Sequence, residues 1–428
     1  MKAVIMAGGK GTRIAQVAGN IPKPMLKIGD KPILEHEINC LRTQGFTDII
    51  LTVGHLGDII KQYFGNGEKY GVKIEYFYET EPLGNAGALF KIKNMLTEDF
   101  LLLNGDVIFD VDFTRFVQYH REKGGLVTLF THPNNHPYDS CLIETDENRA
   151  VTKWSAKEDH RGEYYKNRVN AGLHIISPKI LDTEVNTEKI DLDRQLLKPL
   201  AGSGKMFAYD SPEYVRDMGT PERYEQVCED FLNGKVSAQN LRNKRRAIFL
   251  DRDGTINKYV GFLTKLDDFE LMDGVPEAIR SINRSSYLAV VITNQPVIAR
   301  GEITLGELEK IHQKMETLLG KEGAYLDGIY YCPHHPDKGF PGERPEYKIE
   351  CDCRKPKAGM LMKAAEDLNI DLKNSFMVGD GEHDVGAGKS AGCKTVLIGD
   401  FLDDYGQDLT FDTLLEFTEK FVGGKEND

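Results

Sequence analysis

Three cysteines and a histidine crowd into one stretch of the chain: Cys332 and His334, then sixteen residues, then Cys351 and Cys353. Thiolates and an imidazole in two close pairs make a complete tetrahedral set for Zn²⁺, and four protein ligands leave no position open for substrate. The spacing therefore predicts a structural zinc that clips a loop. Free cysteines beside a surface histidine are the alternative, weakened because three of the chain's seven cysteines share this segment. His335 is a spare neighbour able to compete for ligation, whereas Cys40, Cys141, Cys228 and Cys393 show no pattern and read as packing residues.

Carboxylates supply the second signal. Asp251 and Asp253 stand two apart in FLDRDGT (249–255), straight after an apolar run, and Gly254 permits a sharp exit from a strand. Paired acids often only close turns. Here another apolar run ends in Thr293–Asn294, Arg354–Lys355 sits in CRKPK, and Asp380 with Asp384 closes FMVGDGEHD.

Near the other end, an apolar run leads into AGGKGTR, Ala7 to Arg13. Gly8, Gly9 and Gly11 let the backbone approach a ligand and expose successive N–H groups, which suits a triphosphate. A tight strand-to-helix turn would use the same glycines. Arg13, and Lys23 in IPKPML, could set fixed positive charge against phosphates; the alternative is a solvated surface pair. Asp106 in LNGDVIFD (103–110) and Asp217 in VRDMGTPERY (215–224) are isolated acids at strand ends. Mg²⁺ takes a few protein oxygens and keeps its other positions for phosphate and water, so two such acids together could hold it.

Elements that would position these residues are legible from the apolar pattern. KAVIMA (2–7), DIILTV (48–53), KIEYFYE (73–79) and LLLNGD (101–106) read as strands, with helices near 32–44, 55–64 and 85–96. After the polar, basic stretch 233–246 a second alternation begins. AIFLDRD (247–253), LAVVITN (288–294), GIYYC (328–332), SFMVGD (375–380) and TVLIG (395–399) read as strands, with helices near 275–284, 304–320 and 358–369. Alternation of this kind marks parallel, helix-covered sheets. The expected fold class is α/β, two tandem doubly wound domains: a Rossmann-like domain over 1–235, a linker over 236–246, and a second domain over 247–428.

Composition agrees. A chain of 428 residues exceeds what one core usually fills. With 54 Lys+Arg against 67 Asp+Glu, the formal charge of −13 argues against a general nucleic-acid coat. No apolar run approaches the roughly 20 residues of a membrane span. MKAVIMAGGK turns glycine-rich too early for a signal peptide, and the cysteine usage suits a reducing compartment, so a cytoplasmic location is expected. Small-molecule substrates are the expected partners, with neither nucleic acid nor membrane; self-association is left open.

AGGKGTR, PKPML, EPLGNAGAL (81–89), LNGD, NAG (170–172) and RDMGTPERY occur in the order seen in sugar-1-phosphate nucleotidyltransferases, which residues 1–235 resemble. The resemblance implies that a sugar 1-phosphate oxygen attacks the α-phosphorus of a nucleoside triphosphate and pyrophosphate leaves. It gives phosphate contacts to Arg13 and Lys23, Mg²⁺ to Asp106 and Asp217, and the base to Gly8 and the Leu83–Gly84 loop. It also counts Gly9, Gly11, Asn104 and Asn170 among the substrate contacts. Lys157 stands where the family shows Glu-Lys-Pro and would reach the sugar phosphate, although Glu158 replaces that proline.

The C-terminal motifs resemble the haloacid-dehalogenase-like phosphatases. That resemblance implies nucleophilic attack by Asp251, proton transfer by Asp253, charge balance by Lys355, and Mg²⁺ held by Asp251, Asp253 and Asp380, with Thr293 and Asn294 on phosphate. The zinc set, with ARGEIT and CDCRKPKAGML, narrows it to the heptose bisphosphate phosphatase and histidinol-phosphatase branch, and adds Arg300 and Arg354 as substrate contacts. CPHHP and ARG resemble the heptose members more. Pro296–Val297 replaces the usual Ser-Gly, removing one N–H donor, and Gly381 replaces a usual lysine.

Joined, the two resemblances imply a bifunctional enzyme that removes the 7-phosphate of D-glycero-D-manno-heptose 1,7-bisphosphate and couples the heptose 1-phosphate to a nucleotide. GTP is expected from the family alone. A histidinol-type phosphatase fused to a hexose-1-phosphate nucleotidyltransferase is the alternative. A catalytically silent nucleotide-sugar sensor is a third reading, opposed by the full set of charged residues in both halves.

Overall fold

A computed structural model describes residues 1–9, 14, 19–184, 189–399 and 404–422. The chain forms two compact units. The first comprises Met1–His132, Cys141–Ala156 and Arg168–Asn240; the second comprises Pro133–Ser140, Lys157–Asn167 and Leu241–Asp428.

In the first unit, four parallel strands lie in the spatial order Lys73–Tyr78, Asp48–Val53, Ala3–Met6, Phe100–Asn104. The last three are short, mostly aliphatic runs covered on both faces, whereas Lys73–Tyr78 (KIEYFY) at the edge is partly exposed, and the alternation of side chains sorts the core. Ala3 and Ile5 join one apolar cluster and Val4 the other. Order reverses beside the first strand, which opens a crevice at the carboxyl ends where Gly8, Gly9, Gly105 and Asp106 follow. Beyond Phe100–Asn104 the sheet turns antiparallel through Val169–Ile176, Val127–His132 and Leu142–Thr145. A separate antiparallel pair, Val107–Asp110 with Tyr214–Asp217, carries Asp217.

The helix expected over 85–96 is shorter, Gly87–Lys91, followed by a 3₁₀ turn at Lys93–Met95. The backbone at Leu83 and Ala86 bonds to Ile190 instead (2.8 and 3.0 Å), and Asn85 accepts from Leu192 N–H at 2.7 Å. Gly84, at φ +78°, lies so close that a Cβ would meet the Ile190 carbonyl at 2.3 Å. These contacts fix a loop where helical periodicity alone would continue a helix.

The second unit has one all-parallel sheet, ordered Gly328–Cys332, Tyr287–Asn294, Arg246–Leu250, Phe376–Gly379, Lys394–Ile398, Leu409–Phe411. Ile248 and Leu250 face one cluster, Ala247 and Phe249 the other. Helix Leu305–Lys321 starts in a capping box between Thr304 and Glu307. Its Thr317 hydroxyl accepts from Tyr165 N–H (2.9 Å) and donates to the Tyr165 carbonyl (3.1 Å). Residues 133–140 and 157–167 thus fold with the second unit although they connect strands of the first sheet.

The stretch read as a linker has much of its chain packed. Val236, Asn240, Leu241 and Arg245 are buried, Asn240 donates to Asp110 Oδ1 (2.7 Å), and Arg245 Nε donates to the Leu368 carbonyl (2.8 Å). Long polar side chains reach partners far along the chain, which a local reading of polarity misses. Among the described residues no helix is long and apolar enough to cross a membrane.

Candidate active sites

The first unit encloses a cavity of about 900 Å³ at the crevice; its walls include Gly8, Gly9, Lys23, Glu79, Gly84 and Asp106. Lys23, 7% exposed, donates to Asp106 Oδ2 at 2.6 Å. Asp217 accepts two bonds from Arg223 Nη1 (2.9 and 2.8 Å) and one from Gly219 N–H (2.9 Å). Burial pushes its pKa up, but the Arg223 guanidinium and these bonds outweigh that and hold it below the usual carboxylate range. Lys23 and Asp106 are therefore brought together at the cavity, where Gly219 also reaches the wall, and Asp217 is held ready as an anion nearby in the fold.

Asn104 lines the same cavity, and its amide lies against Gly172, where a Cβ would meet Nδ2 at 2.5 Å. Leu83 faces a second cavity of about 540 Å³. Lys157 is not among the residues lining the first cavity; it folds with the second unit and pairs with Asp139. Gly11 and Arg13 lie outside the described residues.

Two acids here escaped the sequence reading. Glu79 lines the cavity, its Oε1 placed 2.7 Å from where a Gly8 Cβ would stand, and burial raises its pKa. Glu37 is fully buried, and burial, then the nearby Asp106, raises its pKa well above normal against the opposing pull of the Val107 backbone N–H and Lys23. Glutamates on a strand end and on an amphipathic helix offer no local sign of such placement.

In the second unit the carboxyl ends of adjacent strands converge. Lys355 Nζ lies 2.7 Å from Asp251 Oδ1, 2.6 Å from Asp384 Oδ1 and 2.8 Å from the Ile292 carbonyl. Asp251, Asp380 and Asp384 each offer an oxygen within 4.8 Å of the others. Gly254, at φ +83°, lets Asp380 approach to where a Cβ would clash at 1.9 Å. Burial and then Asp384 push Asp251 up to about 6, against the pull of Lys355; burial and then Asp251 push Asp380 to about 6. Burial also opposes the charge of Lys355, yet Asp251 and Asp384 raise its pKa. A dense anionic cluster with one ammonium is a fit site for a divalent cation and a phosphate.

The side chain of Asp253 does not join this cluster, and Asp384 takes its place. Asp253 is gripped by the buried Arg252 (2.8 and 2.9 Å from Nη2), by Gln295 (2.9 Å) and by Asn257 (3.0 Å). Asp384 sits in the first turn of helix Glu382–Ala391 and faces back to Lys355. The Thr293 hydroxyl accepts from Gln295 (2.9 Å), and the Asn294 amide is used at both ends by the Lys355 backbone (3.0 and 3.1 Å). Arg354 donates to the His334 carbonyl (3.3 Å), and Arg300 is stacked between Phe262 and Phe340, 4.0 and 4.3 Å from their centroids.

Cys332, His334, Cys351 and Cys353 converge, all donor atoms within 4.8 Å of one another. The three sulfurs are 3.2–3.5 Å apart, and His334 Nδ1 is 3.3 Å from Cys353 Sγ. Contact with Cys332 lowers the pKa of the Cys353 thiol. The donor set and its closure fit a tetrahedral, thiophilic ion.

Comparison with known proteins agrees with this geometry. Residues 2–234 match the nucleotidyl transferase family and residues 352–401 the HAD-hydrolase-like family. A D-glycero-beta-D-manno-heptose-1,7-bisphosphate 7-phosphatase from Haemophilus ducreyi is 44% identical over 155 residues, 36% of this chain and 82% of its own length. A UTP–glucose-1-phosphate uridylyltransferase from Synechocystis is 34% identical over 251 residues, covering 55% of this chain and 64% of its own. The crystal structure of HddC from Yersinia pseudotuberculosis aligns with 54% of this chain and 99% of its own at 28% identity and a TM-score of 0.47. The chain belongs to the nucleotidyl transferase family and, through its C-terminal part, to the haloacid-dehalogenase-like phosphatases. It is an enzyme with a nucleotidyltransferase half and a phosphatase half.

Proposed function

We propose that the chain removes the 7-phosphate from D-glycero-D-manno-heptose 1,7-bisphosphate and then transfers GMP from GTP to the heptose 1-phosphate, giving GDP-heptose and pyrophosphate. The observation that carries this reading is the presence of two separate polar sites in one chain, with the phosphatase half 44% identical to a heptose bisphosphatase. The product of one reaction is then the substrate of the other.

In the phosphatase, a carboxylate oxygen of Asp251 attacks phosphorus while the bond to the sugar O7 breaks. Asp253 protonates that oxygen, then takes a proton from the water that hydrolyses the aspartyl-phosphate. Arg252, Gln295 and Asn257 set the position of Asp253, and Lys355 offsets the charge between Asp251 and Asp384. Asp251, Asp380 and Asp384 would hold Mg²⁺, which supplies charge neutralisation at the phosphate. Zn²⁺ in the Cys332, His334, Cys351 and Cys353 set would be structural.

In the transferase, a phosphate oxygen of the sugar 1-phosphate attacks the α-phosphorus and the bond to pyrophosphate breaks. Positioning and charge carry the step: Lys23 stands at the cavity beside Asp106, and Asp106 with Asp217 would hold Mg²⁺. Arg13, with Gly8, Gly9 and Gly11, belongs to the triphosphate loop in this reading, and Asn104 and Asn170 to the sugar side.

Glu79 supports guanine. A carboxylate accepts but does not donate, and guanine alone among the common bases offers adjacent N1–H and N2–H donors on one edge. Its place against Gly8 puts that acceptor at the nucleotide loop. The test offers GTP, ATP, UTP, CTP and dTTP with both anomers of heptose 1-phosphate and follows pyrophosphate. Preference for GTP supports the assignment; equal or better use of UTP or another nucleotide overturns it.

A further inference from the structure

Strand Val169–Ile176 breaks register against Val127–His132: Asn170 lies opposite Thr131, yet His174 lies opposite Leu129. Four residues on one strand thus span two on the other, a bulge of the kind that re-aims side chains beside sites. Gly172, at φ +77°, occupies the bulge, and its missing Cβ leaves room for Asn104, a wall residue of the nucleotide cavity.

Within the bulge, Asn170 Oδ1 accepts from Gly172 N–H at 3.3 Å and meets His174 Nε2 at 3.0 Å. A backbone N–H can only donate, so the Asn170 oxygen faces inward, and His174 must carry its proton on Nε2 to bond with it. The amide NH₂ of Asn170 is then the end left to meet a ligand. His174 is 1% exposed, and its Nδ1 has no hydrogen-bond partner among the described residues. A fully buried imidazole with one nitrogen unbonded costs stability, since the desolvated acceptor is not repaid by a partner. Phenylalanine would fill the space without that cost. The polar ring is explained by the one bond it makes.

We infer that His174 is a positioning residue of the transferase, which fixes the amide of Asn170 so that its NH₂ group donates to an oxygen of the sugar 1-phosphate. This rests on the reading of Asn170 as a sugar-side contact. The bulge brings the pair together, and Asn104, whose amide lies against Gly172 in that bulge, lines the cavity.

The experiment is a double-mutant cycle on the full chain with GTP and heptose 1-phosphate, following pyrophosphate. His174→Phe should lower kcat/KM for the sugar phosphate about three- to tenfold, the effect of one hydrogen bond, with KM for GTP unchanged. His174→Gln, which keeps a donor, should recover most of the loss. In the Asn170→Ala background, His174→Phe should cause no further loss. Equal losses in both backgrounds, or a loss shared by both substrates, would show a merely structural histidine and overturn the inference. If Asn170→Ala leaves the sugar-phosphate kinetics intact, the sugar-side reading of Asn170 falls and the inference with it. If the wild type makes no nucleotide sugar from heptose 1-phosphate, the proposed function itself fails.

Discussion

Asp251→Asn should abolish phosphate release and yet stabilise the second unit when Mg²⁺ is absent. Asp251 is 14% exposed, and burial and then Asp384 push its carboxyl up to about 6, well above the usual carboxylate range. A rise of that size corresponds to about 3 kcal/mol. Because the folded value is raised, the contribution of this group is fully present below the unfolded pKa. It is lost as pH rises through about 6. At pH 8 the wild type therefore bears the whole cost of a buried anion crowded by Asp384, which a neutral asparagine of the same shape avoids. The variant should be more stable by about 2–3 kcal/mol at pH 8 and by roughly half that at pH 5. Urea dependence of amide exchange in strand Arg246–Leu250 reads this out, in Mg²⁺-free buffer without chelator so that the thiolate cluster keeps its ion. Added Mg²⁺ should protect the wild type and leave the variant nearly unchanged. A variant less stable than wild type at pH 8, or a gain that ignores pH, would refute the electrostatic reasoning.

Asp106→Asn should cut pyrophosphate release by about 100-fold or more and leave phosphate release from the bisphosphate within twofold; loss of both in folded protein contradicts two independent sites. Elemental analysis should find about one zinc per chain, as a closed four-ligand set requires. Cys351→Ser should release that zinc and weaken phosphatase activity more than transferase activity, and zinc-free wild-type protein purified without chelator would count against the clip. Glu79→Gln should lower kcat/KM for GTP by about 10- to 100-fold, the worth of a charged hydrogen bond, with a smaller effect on UTP; an unchanged nucleotide preference would remove Glu79 from base selection.

Much of the architecture was legible because it is written locally. DIILTV and GIYYC are strands at the expected residues, and the helix expected over 275–284 spans Val275–Arg284. Buried parallel strands must be apolar on both faces, and capped helices declare their ends. The motif residues Asp251, Lys355 and Asp380, and the three cysteines with His334, are brought together from separate strand ends and loops. What escaped depends on distant partners. Nothing local announces that Asp384 would face Lys355, that Arg252 would lock Asp253, or that 157–167 would carry Lys157 into the second unit. The antiparallel strands of the first sheet were also unassigned, because the alternation in runs such as Val127–His132 is masked by burial on both faces.

The central claim is an order: dephosphorylation first, nucleotidyl transfer second. ³¹P NMR of the full chain with GTP, Mg²⁺ and heptose 1,7-bisphosphate measures it directly, because each phosphate species has its own resonance. The wild type should convert the 7-phosphate to inorganic phosphate before pyrophosphate and GDP-heptose appear. Asp251→Asn should leave the bisphosphate intact, and added heptose 1-phosphate should restore GDP-heptose and pyrophosphate. A nucleotide sugar that still bears its 7-phosphate, formed by Asp251→Asn at the wild-type rate, would contradict the account.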